Sequence, residues 1–370
     1  MSERPASLHV NTELHWRGGE QQVLHLLEGL QSRGLRAELV AQPGSPLAQR
    51  AAAAGIAVHS VRMRGEWDLP AAIRIARIAR AGRFSIIHLH TSRAHGLGRI
   101  ASIFASGPRL IVARRVIFPP RGRVSRWLKY LHGIDNYIAI SYAVRDTLTA
   151  AGVPGDRIAV VPSGVDCDRF AGAAPAGLRP TCGLPASARL VGTVGHLEHG
   201  KGQQDLISAA ALLARELPDL FFVLVGEGSG REQFEQQAAS LGIADRVIFT
   251  GFRADVPAVL ADLDLFVMPS HAEGLCTAAV EAMAAGLPVI GTAVGGLVEV
   301  VADGETGLLV PPRNPEAIAG AIRRTMTDEP SRRRMAAAAR ARAFDHFGVK
   351  NMVELTIRVH EKALQPQAPA

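Results

Sequence analysis

The chain has 370 residues, of which 48% are hydrophobic, 20% are charged and only 5% are aromatic, with 37 glycines and 22 prolines. This composition excludes a disordered chain and a coiled coil, and it favours an α/β protein with many tight turns over an all-β sandwich. The net charge of +7 is unevenly distributed, because residues 1–185 carry 24 basic and 12 acidic side chains, whereas residues 186–370 carry 17 and 22.

Short apolar runs alternate with amphipathic segments along the first half of the chain, which is the pattern of βαβ units. Helical segments such as Gly19–Arg33 place their apolar residues on one face. The predicted strands between them are Ser7–Asn11, Ala37–Ala41, Ile86–His90, Leu110–Ala113, Tyr137–Ser141 and Ile158–Val161. These segments predict a parallel sheet covered by helices.

A second series of the same kind follows a loop rich in Ala, Gly and Pro, Ala171–Ala186, which is the favoured linker. Its predicted strands are Leu190–Val194, Phe221–Val225, Val247–Thr250, Leu265–Met268, Val289–Gly291 and Gly307–Val310. We therefore predict two Rossmann-like domains, at residues 1–175 and 186–345, and a helix at 346–370 that packs back toward the first. Ligands of such sheets bind beyond the carboxyl ends of the strands.

The cysteines indicate neither a disulfide framework nor a metal centre, and the first residues do not indicate secretion. Cys167, Cys182 and Cys276 have no C-x-x-C spacing, so no disulfide framework, no zinc site and a reducing compartment are expected. The first residues lack the basic and apolar regions of a signal peptide, and no window is apolar for long enough to span a membrane. We expect a protein that stays in the cytoplasm.

One glycine-rich turn partly matches a P-loop. The segment from Gly195 to Gly202 reads GHLEHGKG, which fits G-x-x-x-x-G-K, but a P-loop next requires a Ser or Thr hydroxyl for Mg²⁺. A nucleoside triphosphatase is therefore disfavoured. What remains is a strand-to-helix turn with a lone Lys201, whose backbone N–H groups and point charge suit a diphosphate.

Two further patterns also fall short of the motifs they suggest. The segment Gly226-Glu-Gly228-Ser-Gly230 lacks the third glycine of G-x-G-x-x-G, and the next strand does not end in an acid, which disfavours a nicotinamide oxidoreductase. Asp262-Leu-Asp264 has the form of a metal-binding D-x-D, but it lies at a helix-to-strand junction. A structural role is predicted for these two aspartates.

The most specific stretch is residues 269–299, PSHAEGLCTAAVEAMAAGLPVIGTAVGGLVE. Glu273 lies in a turn before a helix that is predicted to begin near Thr277, and Glu281 lies about one turn inside that helix. Each carboxylate could simply complement the helix dipole. A carboxylate also accepts hydrogen bonds from vicinal hydroxyls, so one glutamate could hold a sugar and the other a ribose.

This stretch resembles the E-x7-E region of glycosyltransferase family 4, whose members are retaining enzymes of the GT-B fold. Other segments also resemble segments of this family, and they occur in the same order along nearly the whole chain. They are Asn11-Thr-Glu with Arg17-Gly-Gly-Glu20, Val160-Val-Pro-Ser-Gly-Val-Asp166, the turn at Lys201-Gly202, and Ala302-Asp-Gly-Glu-Thr-Gly-Leu-Leu-Val310. The resemblance implies two Rossmann-like domains whose parallel sheets face each other across a cleft, the first for the acceptor and the second for the nucleotide sugar.

The resemblance also implies roles for individual residues. Glu273 would contact the hydroxyls of the donor sugar, backed by N–H groups near Leu275 and Cys276, and Glu281 would bind the nucleotide ribose. Lys201 would bind the diphosphate in the turn that begins at Gly195 and His196. The implied contacts to the base come from the main chain at Phe252 and Arg253, and those to the phosphate from Gly18 and Gly19.

Two departures from the family pattern concern charge. His196 stands where the family usually has Arg, and Arg115 is the closest match to a position where many members carry His. Arg115 could grip a carboxylate or phosphate on the donor or acceptor. His88 and His90 share a strand face, and His90, nearer the carboxyl end, is the better candidate for the cleft.

The stretch 109–129 holds seven basic residues and no acid, close to Phe118, Trp127 and Tyr130. It is either a solvated surface or a contact with anionic lipid or a lipid-linked acceptor. Nucleic acid is not an expected partner, because no recognised reading module is present.

The sequence thus predicts a retaining glycosyltransferase that moves a sugar from a nucleoside diphosphate sugar to a glycan or lipid-linked acceptor, without a metal or other cofactor. Cell-envelope or lipopolysaccharide synthesis at the inner face of the cytoplasmic membrane is the expected setting. The alternatives are a non-catalytic sugar-nucleotide-binding protein, or an epimerase or phosphorylase of the same fold.

Overall fold

In the computed structural model, which describes residues 5–105, 107–117 and 133–365, the apolar runs form two parallel sheets in two structural units. Unit 1 comprises the chain up to Gly164 and from Val349 onward, and unit 2 comprises Val165–Gly348. The division falls at 164 rather than at the predicted 175 because Val165 pairs with Gly348 and the helix Cys167–Ala171 packs on unit 2 helices. The stretch favoured as a linker therefore lies inside unit 2.

Unit 1 has a seven-stranded sheet in the order β3-β2-β1-β4-β5-β6-β7. Its strands are β1 (Ser7–Val10), β2 (Ala37–Ala41), β3 (Val58–Ser60), β4 (Ile86–Leu89), β5 (Arg109–Arg114), β6 (Asn136–Ala139) and β7 (Ile158–Val160). The six strands predicted for this half are confirmed. Strand β3, a three-residue edge strand, was not predicted, because its residues Val-His-Ser do not form an apolar run.

The helices of unit 1 cover both faces of this sheet. They span Gly18–Ser32, Pro46–Ala53, Leu69–Ala81, Ser92–Phe104, Tyr142–Ala150 and Val349–Leu364. Side chains of Ser45, Asp68, Thr91 and Ser141 accept hydrogen bonds from backbone N–H groups and so cap four of them. The last helix packs on Gly18–Ser32, where Gly29 leaves no room for a side chain beside Val353.

Unit 2 has a six-stranded sheet in the order β10-β9-β8-β11-β12-β13. Its strands, all predicted, are β8 (Arg189–Val194), β9 (Leu220–Val225), β10 (Val247–Gly251), β11 (Leu265–Met268), β12 (Val289–Thr292) and β13 (Gly307–Val310). The helices span Cys167–Ala171, Leu178–Thr181, Gln203–Leu213, Arg231–Ser240, Val256–Asp262, Thr277–Ala284, Leu297–Val300, Pro315–Thr327 and Glu329–Phe347.

The aspartates of the D-x-D pattern have the structural role that the sequence predicted. A carboxylate oxygen of Asp262 accepts from the backbone N–H of Leu178 at 3.0 Å. Asp264 accepts from the N–H of Leu190 at 2.8 Å and from the guanidinium of Arg179 at 2.9 Å. Both carboxylates thus anchor the start of unit 2 to its sheet.

The described part of the chain contains no helix that is both long and apolar enough to cross a membrane. Most of the basic stretch 109–129 lies outside the described residues, as do Phe118, Trp127 and Tyr130. Its described beginning forms the inner strand β5, where Arg109 pairs with Asp135 at 2.9 Å. This part of the stretch is built into the sheet.

Candidate functional site

The predicted donor residues of unit 2 come from loops after neighbouring strands. Strand β8 pairs with β11 in parallel, so the loops that follow them meet at the same edge of the sheet. The first loop contains a short 3-10 turn, His199–Lys201, before the helix Gln203–Leu213. The second carries Glu273 and leads into the helix Thr277–Ala284, which begins where the sequence predicted.

Lys201 and Glu273 form an ion pair where these loops meet. The ammonium Nζ of Lys201 lies 2.7 Å from Oε1 of Glu273, and the Ser270 hydroxyl donates to the same oxygen at 2.7 Å. The Lys201 side chain is 30% exposed, whereas that of Glu273 is only 8% exposed. Burial alone would lower the pKa of Lys201, but the Glu273 carboxylate outweighs it and raises that pKa. Lys201 therefore keeps its positive charge near neutral pH.

The backbone around Glu273 is tightly constrained. Cys276 has a φ of 77°, a left-handed conformation that is costly for any residue with a side chain. Gly295, with a φ of 47°, lies so close to the Glu273 carbonyl oxygen that an added Cβ would stand only 2.0 Å from it. The N–H of Gly296 donates to that carbonyl at 3.0 Å. The loop that presents Glu273 is thus fixed by close backbone packing.

Glu281 lies one turn inside the same helix and is partly buried. Burial raises the pKa of Glu281 to about 7, against the opposing pull of Arg169. Burial, followed by the charge of Glu273, also raises the pKa of the Cys276 thiol, which interacts with Lys201 and Glu281 as well. The structure therefore brings Lys201, Glu273, Cys276 and Glu281 into one electrostatic environment.

The other predicted donor residues follow strands β8, β10 and β11. Gly195 follows β8, and the exposed His196 contributes its carbonyl oxygen, which accepts from Gln203 at 2.9 Å. Phe252 follows β10 with 73% of its surface exposed, and Arg253 pairs with Asp255 at 2.6 Å. Leu275 is buried beside Cys276. The exposed side chain of Phe252 is therefore accessible to a planar ligand.

In unit 1, Gly18 and Gly19 begin the first helix. A Cβ added at either glycine would meet no atom within 4 Å, so the space beside them is open. Glu20 closes the turn by accepting from the N–H of Arg17 at 3.1 Å and from the amide of Asn11 at 3.2 Å. Open backbone at a helix N-terminus is favourable for an anion.

Four histidines lie together inside unit 1: His9, His88, His90 and His360. His9 and His88 are register partners on β1 and β4, and His360 comes from the last helix. Burial lowers the pKa of each of the first three well below its usual range, with nearby positive groups adding to the effect. Burial lowers the pKa of His360 to about 4. All four rings are therefore neutral at pH 7.

One chain of hydrogen bonds in this histidine cluster begins at Arg115. Its guanidinium lies 3.3 Å from the carbonyl oxygen and 3.4 Å from Nδ1 of His90. Because Arg only donates, Nδ1 of His90 accepts and the proton sits on Nε2. That N–H donates to Nδ1 of His9 at 2.9 Å, and His9 donates to the Ser7 hydroxyl at 2.9 Å.

In this network the ring of His90 bonds to protein groups, whereas the sequence favoured it as a residue of the cleft. The residue is 6% exposed, and both its ring nitrogens have protein partners, so a ligand could bond to the ring only by breaking one of these bonds. The guanidinium of Arg115 carries the charge at this end of the network. Burial lowers the pKa of Arg115 to about 10, opposed by Glu20, so it stays protonated at neutral pH.

The histidine cluster also has the spacing of a metal site, because His9, His88 and His90 each offer a nitrogen within 4.8 Å of the others. A divalent cation there would break the bond between His9 and His90 and stand beside the Arg115 guanidinium, which repels it. The arrangement favours a hydrogen-bonded chain over a bound cation. The absence of a metal centre stays a prediction.

Acidification is expected to destabilise the protein through the histidine cluster. Each folded pKa lies below the usual value of about 6.5, so the unfolded chain binds more protons below that pH. Stability from these groups is complete above pH 6.5 and declines as the pH falls, by about 3 kcal/mol for His360 alone by pH 4. Thermal unfolding between pH 7.5 and 4.5 measures this decline. His360→Gln should flatten it, and an equal decline in the variant would contradict the assignment.

Several residues at these sites were not predicted from the sequence. Ser270, His271 and Asp205 contact or support the Lys201–Glu273 pair, and only the position of the first two beside Glu273 could have indicated them. His9 could have been found from the alignment of β1 beside β4, which places it opposite His88. His360 lies far along the chain, and no local pattern marks it.

Comparisons with known proteins agree with this geometry. Residues 16–169 match the family model described as Glycosyltransferase Family 4, and residues 179–342 match Glycosyl transferases group 1. The 2-deoxystreptamine N-acetyl-D-glucosaminyltransferase of Streptomyces fradiae is 31% identical over 359 residues, which cover 90% of this chain and 84% of the relative. The 2-deoxystreptamine glucosyltransferase of Streptomyces kanamyceticus is 38% identical over 213 residues, or 56% of this chain and 55% of that relative.

A solved structure shows the same fold. The crystal structure of Anabaena Alr3699/HepE in complex with UDP-glucose has a TM-score of 0.84 and 25% sequence identity, covering 97% of this chain and all of that one. The two parallel Rossmann-like sheets, with the E-x7-E segment from Glu273 to Glu281 in the second unit, are those of a GT-B glycosyltransferase. The chain belongs to glycosyltransferase family 4.

Proposed function

We propose that this protein transfers a sugar from a nucleoside diphosphate sugar to a hydroxyl group of an acceptor, with retention of configuration and without a metal ion. The observation that carries the proposal is the Lys201–Glu273 pair, a largely buried carboxylate and a half-buried ammonium 2.7 Å apart before a helix N-terminus. The HepE complex with UDP-glucose supports a donor of this class.

In this proposal the residues of unit 2 hold the donor. Lys201 neutralises the diphosphate, where a divalent metal would otherwise be needed, and Glu273 accepts hydrogen bonds from the sugar hydroxyls. Glu281 accepts from the ribose hydroxyls in its ionised form. The N–H groups at Leu275 and Cys276 add donors, and the segment at Phe252 and Arg253 contacts the base.

The reaction exchanges one bond of the anomeric carbon for another. The bond to the diphosphate oxygen breaks, the acceptor oxygen forms the new bond on the same face, and the acceptor proton passes to the leaving diphosphate. Lys201 and the helix N-terminus stabilise the charge that develops on that diphosphate. In unit 1, Gly18, Gly19 and Arg115 are available to phosphate or carboxylate groups of donor or acceptor, and His90 holds Arg115.

The proposed acceptor is a glycan or a lipid-linked sugar of the cell envelope, reached from the cytoplasmic side of the membrane. Charge supports this acceptor, because residues 1–185 carry twelve more basic than acidic side chains and an anionic membrane or lipid diphosphate attracts positive charge. Nucleic acid is not part of this proposal.

The first experiment is a thermal-shift panel of UDP, GDP, ADP, CMP and their sugars in EDTA, with NAD and ATP·Mg²⁺ as comparisons. A ligand at about 100 times its Kd stabilises by about 2.7 kcal/mol, which raises Tm by several degrees. We expect one nucleoside diphosphate to raise Tm without metal. A rise with NAD or ATP·Mg²⁺ alone would contradict the proposal, and binding without turnover over an acceptor panel would favour a non-catalytic binding protein.

A further inference from the structure

We propose that His271 is a positioning residue, which acts through Asp205 and the turn after β8 to hold Lys201 against Glu273. This inference rests on the function proposed above and adds a residue to its machinery. His271 stands two positions before Glu273, and Asp205 lies in the first turn of the helix Gln203–Leu213. Neither residue belongs to the predicted donor contacts.

His271 joins the two loops through both its side chain and its backbone. Its Nε2 lies 2.7 Å from Oδ2 of Asp205, and because a carboxylate only accepts, the imidazole donates this bond. Its backbone N–H donates to the carbonyl oxygen of Gly200 at 3.0 Å. Both side chains are largely buried, at 13% and 14% exposure, so water competes weakly for the bond. His271 thus bonds to the chain on both sides of Lys201, at Gly200 and at Asp205.

The turn that carries Lys201 needs such support because its first residues, 198–200, are exposed. Its internal bonds are local, from the N–H of Lys201 to Glu198 and from the N–H of Gly202 to His199. Gly202, with a φ of 71°, lies against the loop at Pro269, where a Cβ would stand 1.9 Å from the carbonyl oxygen. The close contact at Gly202 and the hydrogen bonds of His271 therefore fix the turn to the loop of Glu273.

The contacts of His271 preorganise the Lys201 ammonium for binding a diphosphate. Lysine has a long, flexible side chain, and a point charge stabilises a diphosphate best when its position is fixed before binding. A turn released from His271 would no longer hold the Lys201 ammonium in place against Glu273, so the charge would not be fixed before the diphosphate binds. Loss of His271 should therefore weaken contact with the diphosphate and leave contact with the base unchanged.

The test compares the binding of UDP, GDP and ADP with the binding of uridine, guanosine and adenosine by titration calorimetry, well below the Tm of each variant. We consider the diphosphate that the wild-type protein binds best, together with its nucleoside. For these two ligands we expect His271→Ala to raise the Kd of the diphosphate about tenfold and leave the Kd of the nucleoside unchanged. Asp205→Ala should do the same, and Asp205→Asn, whose amide oxygen still accepts from the imidazole, should restore most of the affinity. Glu216→Ala, which removes an exposed ion pair with Arg323, is the matched control.

A double-mutant cycle with Lys201→Met separates positioning from a general structural effect. If His271 acts through Lys201, adding His271→Ala to Lys201→Met should raise the Kd of the diphosphate no further. Wild-type affinity in His271→Ala, or a full second loss in the double variant, would overturn the proposal for His271 alone. Failure of wild type to bind any of the nucleotides would overturn the proposed function as well.

Discussion

Replacing Glu273 with Gln is expected to lower the turnover of sugar transfer by about 10²- to 10³-fold, the cost typical of removing one preorganised electrostatic group. Gln keeps the shape of the side chain but removes the charge that faces Lys201 at 2.7 Å. It also offers one accepting oxygen where the carboxylate offers two, so it cannot accept from two sugar hydroxyls while it keeps the bond from Ser270. Because the side chain is 8% exposed, water does not replace the lost charge.

The measurement is kcat with the nucleotide sugar that gives the largest thermal shift, together with the Tm of the free variant. Glu216→Gln, on the surface of the same unit, is the matched control and should keep wild-type turnover. Full turnover by Glu273→Gln would show that the carboxylate does not stabilise the reacting sugar.

Replacing Lys201 with Met is expected to raise the Kd of the nucleoside diphosphate by about 10²-fold, because a hydrogen bond between charged groups contributes roughly 1.5–3 kcal/mol. Met keeps most of the length and apolar stem of lysine but has no charge. The variant also leaves Glu273 without its cation, and a lone buried carboxylate repels a diphosphate. Both effects act in the same direction, and neither alters contact with the base.

Calorimetric titration with the diphosphate and with its nucleoside checks this expectation. Lys201→Arg should recover part of the affinity because it restores the charge, although with a different reach. Arg323→Met, which removes an exposed cation from the same unit, should bind as wild type does. Equal loss of diphosphate and nucleoside binding would point to a collapsed pocket rather than to a lost phosphate contact.

Most of the fold could be predicted because strands of parallel sheets are rich in apolar residues, and twelve of the described strands coincide with the apolar runs predicted from the sequence. Strand β3 could not be predicted, because only one of its three residues, Val-His-Ser, is apolar. The unit boundary was placed too late because helix Cys167–Ala171 is short and sits among alanines and glycines that resemble a linker. This helix packs on unit 2 helices that are distant in the sequence, and local composition does not predict such contacts.

The donor site was predictable to the extent that adjacent strands place their following loops together. The sequence and its family resemblance identified Lys201 and Glu273, and the pairing of β8 with β11 explains why they meet. The bond between His271 and Asp205 joins residues 66 positions apart and depends on how two loops curve. No spacing rule predicts such a contact, so it was found only in the folded structure.

The histidine cluster shows the same limit in unit 1. The pattern of His88 and His90 on one strand face was visible in the sequence, and it favoured His90 as a residue of the cleft. The structure instead occupies both ring nitrogens of His90, one with His9 and one with Arg115. Tertiary partners decide whether a strand histidine is exposed to ligand, and these come from elements far apart in the chain.

The most direct test of the account is a crystal structure of the wild-type protein with the nucleoside diphosphate that gives the largest thermal shift. We predict a diphosphate within hydrogen-bond distance of the Lys201 ammonium and a ribose whose hydroxyls donate to Glu281. We also predict that Glu273 is accessible to the sugar. A nucleotide bound away from the loops after β8 and β11, or one whose diphosphate makes no contact with Lys201, would contradict it.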